Sequence, residues 1–80
     1  MARHRGYRLY SGRLVLGEVV PSITRNVYKW RSRVTKDRGI TGNGFAFAVA
    51  LVLREAKVSP RAHEVDLVDI TTKQRRPWVR

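Results

Sequence analysis

The longest apolar run in the chain, FAFAVALVL at residues 45–53, limits what the rest can fold into. Nine residues are too few to cross a bilayer, which takes about 20, so the chain itself or a partner must cover the run. Large side chains stand at 45, 47, 49, 51 and 53, a period of two, while alanines fill 46, 48 and 50. Alanine favours helices and disfavours strands. The run ends in REAK (54–57), and cations in a last helical turn oppose the helix dipole. Thr41 and Asn43 are the side chains available to cap the start. The balance predicts a helix over 45–57. A helix apolar on all sides must be buried on most of them. This predicts a sheet on one side and a partner or a second copy on the other, which makes 45–53 a candidate homodimer contact.

The sheet is written in the flanking segments. YRLY (7–10) and RLVLGEVV (13–20) read as a hairpin about Ser11-Gly12, with Gly17 as a bulge candidate and Pro21-Ser22 as the stop. VYKWRSRV (27–34) reads as the next strand. TKDRGITGNG (35–44) is dense in turn residues. Beyond a boundary at Ser59-Pro60, HEVDLVDI (63–70) reads as a last strand. The expected fold is therefore α+β: a small antiparallel sheet in the order β-β-β-α-β, with one apolar helix on one face. Eighty residues, 42% of them hydrophobic, make one domain. We place it at 7–70, between a basic N-terminal arm (1–6) and a basic C-terminal tail (71–80), both expected to be flexible. The run WRSRV…GITGNGFAFAVALVLREA, about half of the chain, resembles a layout common in small proteins of phages and mobile elements. That resemblance implies an α+β layout, carries no diagnostic motif and names no family.

Charge supplies the functional signal. Lys and Arg number 17 against six Asp and Glu, a formal net charge of +11. A field of this sign draws polyanions and speeds their association. In VYKWRSRV, strand alternation puts Lys29, Arg31 and Arg33 on one face about 6.6 Å apart, and Tyr28, Trp30, Ser32 and Val34 on the other. Arg8 and Arg13 on the hairpin extend the basic row sideways. The first 44 residues contain only Glu18 and Asp37 as acids, and clustered charge of one sign is the footprint of a nucleic-acid binder. Lys36 and Arg38, in a glycine-rich loop before the predicted helix, suggest a phosphate cradle, although the spacing matches no P-loop or dinucleotide fingerprint. Arg75 and Arg76, with Arg3, Arg5 and Arg80, would add support from the arms.

The aromatics divide. Tyr28 and Trp30 would stack bases if exposed, but large rings dominate small cores, and burial beneath the helix is the stronger expectation. Trp78, among arginines and outside the predicted core, either folds back or anchors a partner. Cysteine is absent, which excludes disulfides and thiolate sites, and His4 and His63 are too few for a zinc site. Asp37 with Glu55-Ala56-Lys57 echoes the acid-x-Lys pattern of metal-dependent nucleases, and Glu64, Asp66 and Asp69 form an acidic stretch. The first pattern falls at a predicted helix end, and the second suits pairing with neighbouring arginines. The sequence thus predicts a non-enzymatic protein without cofactor or metal, cytoplasmic and not membrane-bound, contacting DNA or RNA through phosphates with little sequence preference. The alternatives are a phage- or mobile-element-type inhibitor docking on an acidic surface of a host nucleoprotein or defence complex, and a structural ribonucleoprotein component.

Overall fold

A computed structural model describes residues 6–58 and 64–78. It contains β1 (Tyr7–Ser11), β2 (Leu14–Pro21), β3 (Tyr28–Ser32), β4 (Arg38–Thr41), α1 (Phe45–Glu55), β5 (Val65–Asp69) and β6 (Arg75–Pro77). The strands form a single sheet in the order β4-β3-β2-β1-β5-β6, antiparallel at every join. The α+β class and the helix agree with the sequence reading; the strand count does not. Two strands, β4 and β6, come from segments read as a loop and as a flexible tail.

The β1–β2 hairpin turns on Gly12, whose φ of 62° suits the first position of a two-residue turn. Its ladder slips between Leu9 and Tyr10, so Leu16 is an extra residue on β2 and the bulge lies beside Gly17. β3 stops earlier than expected. The Ser32 hydroxyl accepts the N–H groups of Val34 and Thr35, both at 3.1 Å, and turns the chain. Val34 is consequently exposed and does not continue the apolar face.

α1 lays Ala48, Val49, Val52 and Leu53 on the sheet, a stripe of helical period. With Leu9, Leu16, Val19, Val65 and Leu67 they form the buried core. Neither predicted capping side chain is used: the N-cap is Gly44 without a side-chain bond, and the Thr41 hydroxyl instead accepts the Asn43 N–H at 3.2 Å. At the other end, Lys57 takes φ 58°. Its N–H reaches the Arg54 carbonyl at 3.0 Å, and the Val58 N–H reaches Leu53 at 2.9 Å. These are the two bonds of a Schellman ending. The opposite side of the helix, with Ala46 and Phe47, stays exposed.

Phe45 gathers the rings. Tyr7, Tyr28 and Trp78 meet it edge-on at 5.3, 5.6 and 5.9 Å between centroids. Edge-to-face pairs contribute about 0.5–1.5 kcal/mol each beyond burial. Phe45→Leu, which keeps most of the volume but removes all three pairs, should therefore cost about 1.5–4.5 kcal/mol in urea unfolding. Trp78 reaches the cluster because its N–H bonds the Val65 carbonyl at 2.8 Å, extending β6 along β5. The segment before it is equally ordered. The Asp69 carboxylate accepts the Thr71 and Thr72 N–H groups at 2.8 and 3.1 Å, an Asx-type turn that returns the chain as β6. The domain therefore includes residues 71–78, read from sequence as a tail. The boundary at 59–60 and the arm residues 1–5 lie outside the described residues.

Candidate nucleic-acid interface

Strand alternation separates the two faces of the sheet. The face toward α1 takes Tyr28, Trp30 and Ser32 from β3, and Leu9, Val19, Val65 and Leu67 from its neighbours. Among the described residues no helix lies on the other face. Across it, in register, stand Arg38 on β4, Arg31 on β3, Glu18 on β2, Arg8 on β1, Val68 on β5 and Arg75 on β6. Five inter-strand steps of about 4.8 Å make this row roughly 24 Å long. A second row holds Ile40, Lys29 and Val20 side by side. An open cleft of about 730 Å³ lies over both rows near β4, bounded by Arg8, Glu18, Val20, Lys29, Arg31, Arg38 and Ile40 among others.

The cations on this face are not equivalent. Glu18, largely buried, sits among them. The Arg33 Nε and Nη2 lie 3.0 and 2.9 Å from its Oε2, and the Arg8 Nε lies 3.5 Å from the same oxygen without a hydrogen bond. One carboxylate thus holds two guanidinium groups, and the trio retains one net positive charge. Arg75 is bound three ways: to Asp66 Oδ2 at 2.8 Å, to the Gly12 carbonyl at 2.9 Å, and over the Tyr10 ring at 5.2 Å. It fastens β6 to the β1–β2 turn. By contrast, the side chains of Lys29, Arg31 and Arg38 have no hydrogen bond or ion pair among the described residues, and all three are exposed.

The Arg33 end of this network is exposed, and exposed ion pairs contribute little, whereas Arg8 Nε is buried beside Glu18 and depends on its charge. Glu18→Gln preserves an acceptor for Arg33 but removes the charge beside the buried Arg8 Nε, so the urea midpoint should correspond to a loss of about 1–3 kcal/mol.

Several sequence expectations are redistributed. Arg8, Lys29, Arg31 and Arg33 converge on one face as read. Arg13 is exposed in the β1–β2 turn. Arg38 joins the row because it lies on a strand, not in a loop. Lys36, with φ 68°, sits in the β3–β4 turn. Four strand residues, about 13 Å, separate it from the start of α1, so it and Arg38 do not form a cradle at the helix N-terminus. Arg76 points to the helix side of the sheet, 5.6 Å over the Tyr7 ring, away from the basic row. Tyr28 and Trp30 are partly buried against the core, and Trp30 also lines the cleft over the basic rows. Trp78 folds back onto Phe45. Arg3, Arg5 and Arg80 lie outside the described residues.

The acids have local duties. Asp66 holds Arg75, while Asp69 shapes the β5–β6 turn from the other face. Glu55 accepts the Thr35 hydroxyl at 2.8 Å, tying the β3–β4 turn to the end of α1. Among the described residues no three His, Cys, Asp or Glu are grouped to hold a metal, and no helix is long and apolar enough to cross a membrane. Glu18 is the site residue that sequence reading underused. Its position opposite both Arg8 and Arg31 follows from strand pairing, which no local pattern specifies. No family model, curated protein or solved structure matches this chain.

Proposed function

We propose that the protein is a non-enzymatic nucleic-acid-binding protein whose helix-free sheet face contacts phosphates. One observation carries this reading: Lys29, Arg31 and Arg38 are adjacent, exposed and without ion partners among the described residues. Adjacent like charges repel unless a polyanion joins them. Arg8 and Arg33, oriented by Glu18, border the same cleft and add a second tier of contacts. Tyr28 and Trp30 point to the helix side of the sheet and are partly buried against the core, which supports backbone contact with a duplex or a structured RNA over base stacking. Contacts of this kind position a protein without reading sequence.

A gel shift with duplex DNA, single-stranded DNA and RNA across a salt series tests the proposal. Each neutralised phosphate adds about −0.9 to the slope of log K against log salt on a duplex. The three free cations alone thus require a slope of about −2.7 or steeper. A duplex affinity that does not change with salt would contradict the reading. Glu18→Gln, which removes the central negative charge, should tighten duplex binding severalfold.

A further inference from the structure

We propose that the outer edge of β4 is a docking strand for an extended acidic segment with the pattern apolar-x-acidic. β4 ends the sheet. The Ser32 N–H bonds the Asp37 carbonyl at 2.7 Å, which fixes the phase of the β3–β4 ladder. Bonded and unbonded pairs alternate along an antiparallel ladder. Gly39 and Thr41 therefore turn their main-chain groups inward to β3, and Arg38 and Ile40 turn theirs outward. Among the described residues nothing bonds these outward groups. The opposite edge, β6, contains Pro77, which has no N–H to offer, a common protection of edges.

The side chains specify what the edge would accept. Arg38 and Ile40 share the basic face, and Ile40 is 67% exposed. In an antiparallel added strand, the residue opposite Ile40 and the residue opposite Arg38 lie two apart on that same face. The first borders the exposed Ile40, with Lys29 behind it on β3. The second meets Arg38, with the unpaired Arg31 behind it on β3. An apolar side chain followed two positions later by a carboxylate fits both. Four main-chain bonds on so short a strand make a weak site alone, so the charge and the apolar contact decide the partner. A second copy of this chain is a poor occupant, because each copy carries a formal net charge of +11 and like-charged copies repel. The docked segment covers Arg38, so it competes with nucleic acid for part of the basic face.

The test uses the full chain and a fluorescent peptide repeating Val-Thr-Glu-Thr, read by anisotropy, with amide hydrogen exchange as a map. The expected result is saturable binding, slowed exchange at the Arg38 and Ile40 amides, and partial displacement by duplex DNA. N-methylating the peptide's main chain on the bonding side should weaken binding by about tenfold or more. Ile40→Pro, which removes an outward N–H without an internal sheet bond, should weaken peptide binding likewise. Equal binding of the N-methylated peptide to the wild-type protein, or protection at amides away from β4, would overturn the proposal and indicate charge attraction alone. A failure of duplex binding with peptide binding intact would count against the nucleic-acid reading and not against this one.

Discussion

Replacing Lys29, Arg31 and Arg38 together with glutamate should lower duplex affinity roughly 500-fold at 0.1 M salt and flatten the log–log salt dependence by about 2.7. The estimate follows from counterion release alone: three contacts, each worth about 0.9 of a power of the salt concentration. The variant should remain folded, because the three side chains are exposed and give up no hydrogen bond or ion pair among the described residues. Arg31 and Arg38 stand directly opposite each other, so the reversal exchanges one like-charge pair for another, and with Glu18 opposite position 31 it should cost the sheet only about 0.2–1 kcal/mol. Arg33 is a poorer choice for reversal, since its guanidinium is held by Glu18 and its loss would disturb Arg8 as well. Each reversal removes two charges, so the net charge falls from +11 to +5. A control reversing Arg25, Arg54 and Lys73 makes the same change elsewhere on the exposed surface. If the control loses as much affinity as the test variant, binding reflects total charge and the sheet face has no special role.

Gly17→Ala should destabilise the protein by about 3 kcal/mol or more, enough to leave so small a domain largely unfolded at low urea. Gly17 lies in the middle of the sheet, between Leu9 on β1 and Ser32 on β3, and faces the helix. A Cβ there would lie 2.2 Å from the Arg31 carbonyl oxygen and 2.7 Å from Val52 Cγ1. The first neighbour is main chain and cannot rotate away, so relief requires moving β3 or lifting α1 from the core. Domains of this size have only about 4–12 kcal/mol in total. Urea unfolding followed by far-UV circular dichroism measures the loss. A midpoint within experimental error of wild type would mean that β2 and β3 lie farther apart than described.

The parts of this fold that are legible in the sequence are those decided within a few residues. Gly12 sets the hairpin, alternation in YKWRS sorts rings from cations, and alanines tip 45–55 to helix. Even there the period of two in large side chains misleads, since the buried stripe is 48, 49, 52 and 53 and includes an alanine. The missed elements depend on distant partners. RGIT becomes β4 because Trp30 lies over Gly39, where a Cβ would come within 2.8 Å of the indole nitrogen; alone, its glycine and flanking turn residues read as a loop. RRP becomes β6 because the Asp69 turn aims it back and Phe45 receives Trp78. The same holds for the basic face. Its membership along one strand was legible, but the split between free cations and those held by Glu18 or Asp66 is set by pairing across strands. The carboxylates that tame Arg8, Arg33 and Arg75 are close in space and remote in sequence.

The central claim is that the helix-free face of the sheet, and not the helix side, meets the phosphates. Amide and side-chain chemical-shift mapping during titration with a short DNA duplex tests it most directly. The account predicts that shifts concentrate at Lys29, Arg31, Arg38, Val20 and Ile40, with smaller changes at Arg8 and Arg33 and little at Ala46, Phe47 and Leu51 on the exposed side of the helix. Shifts centred on the helix, or spread evenly over every arginine and lysine, would contradict it.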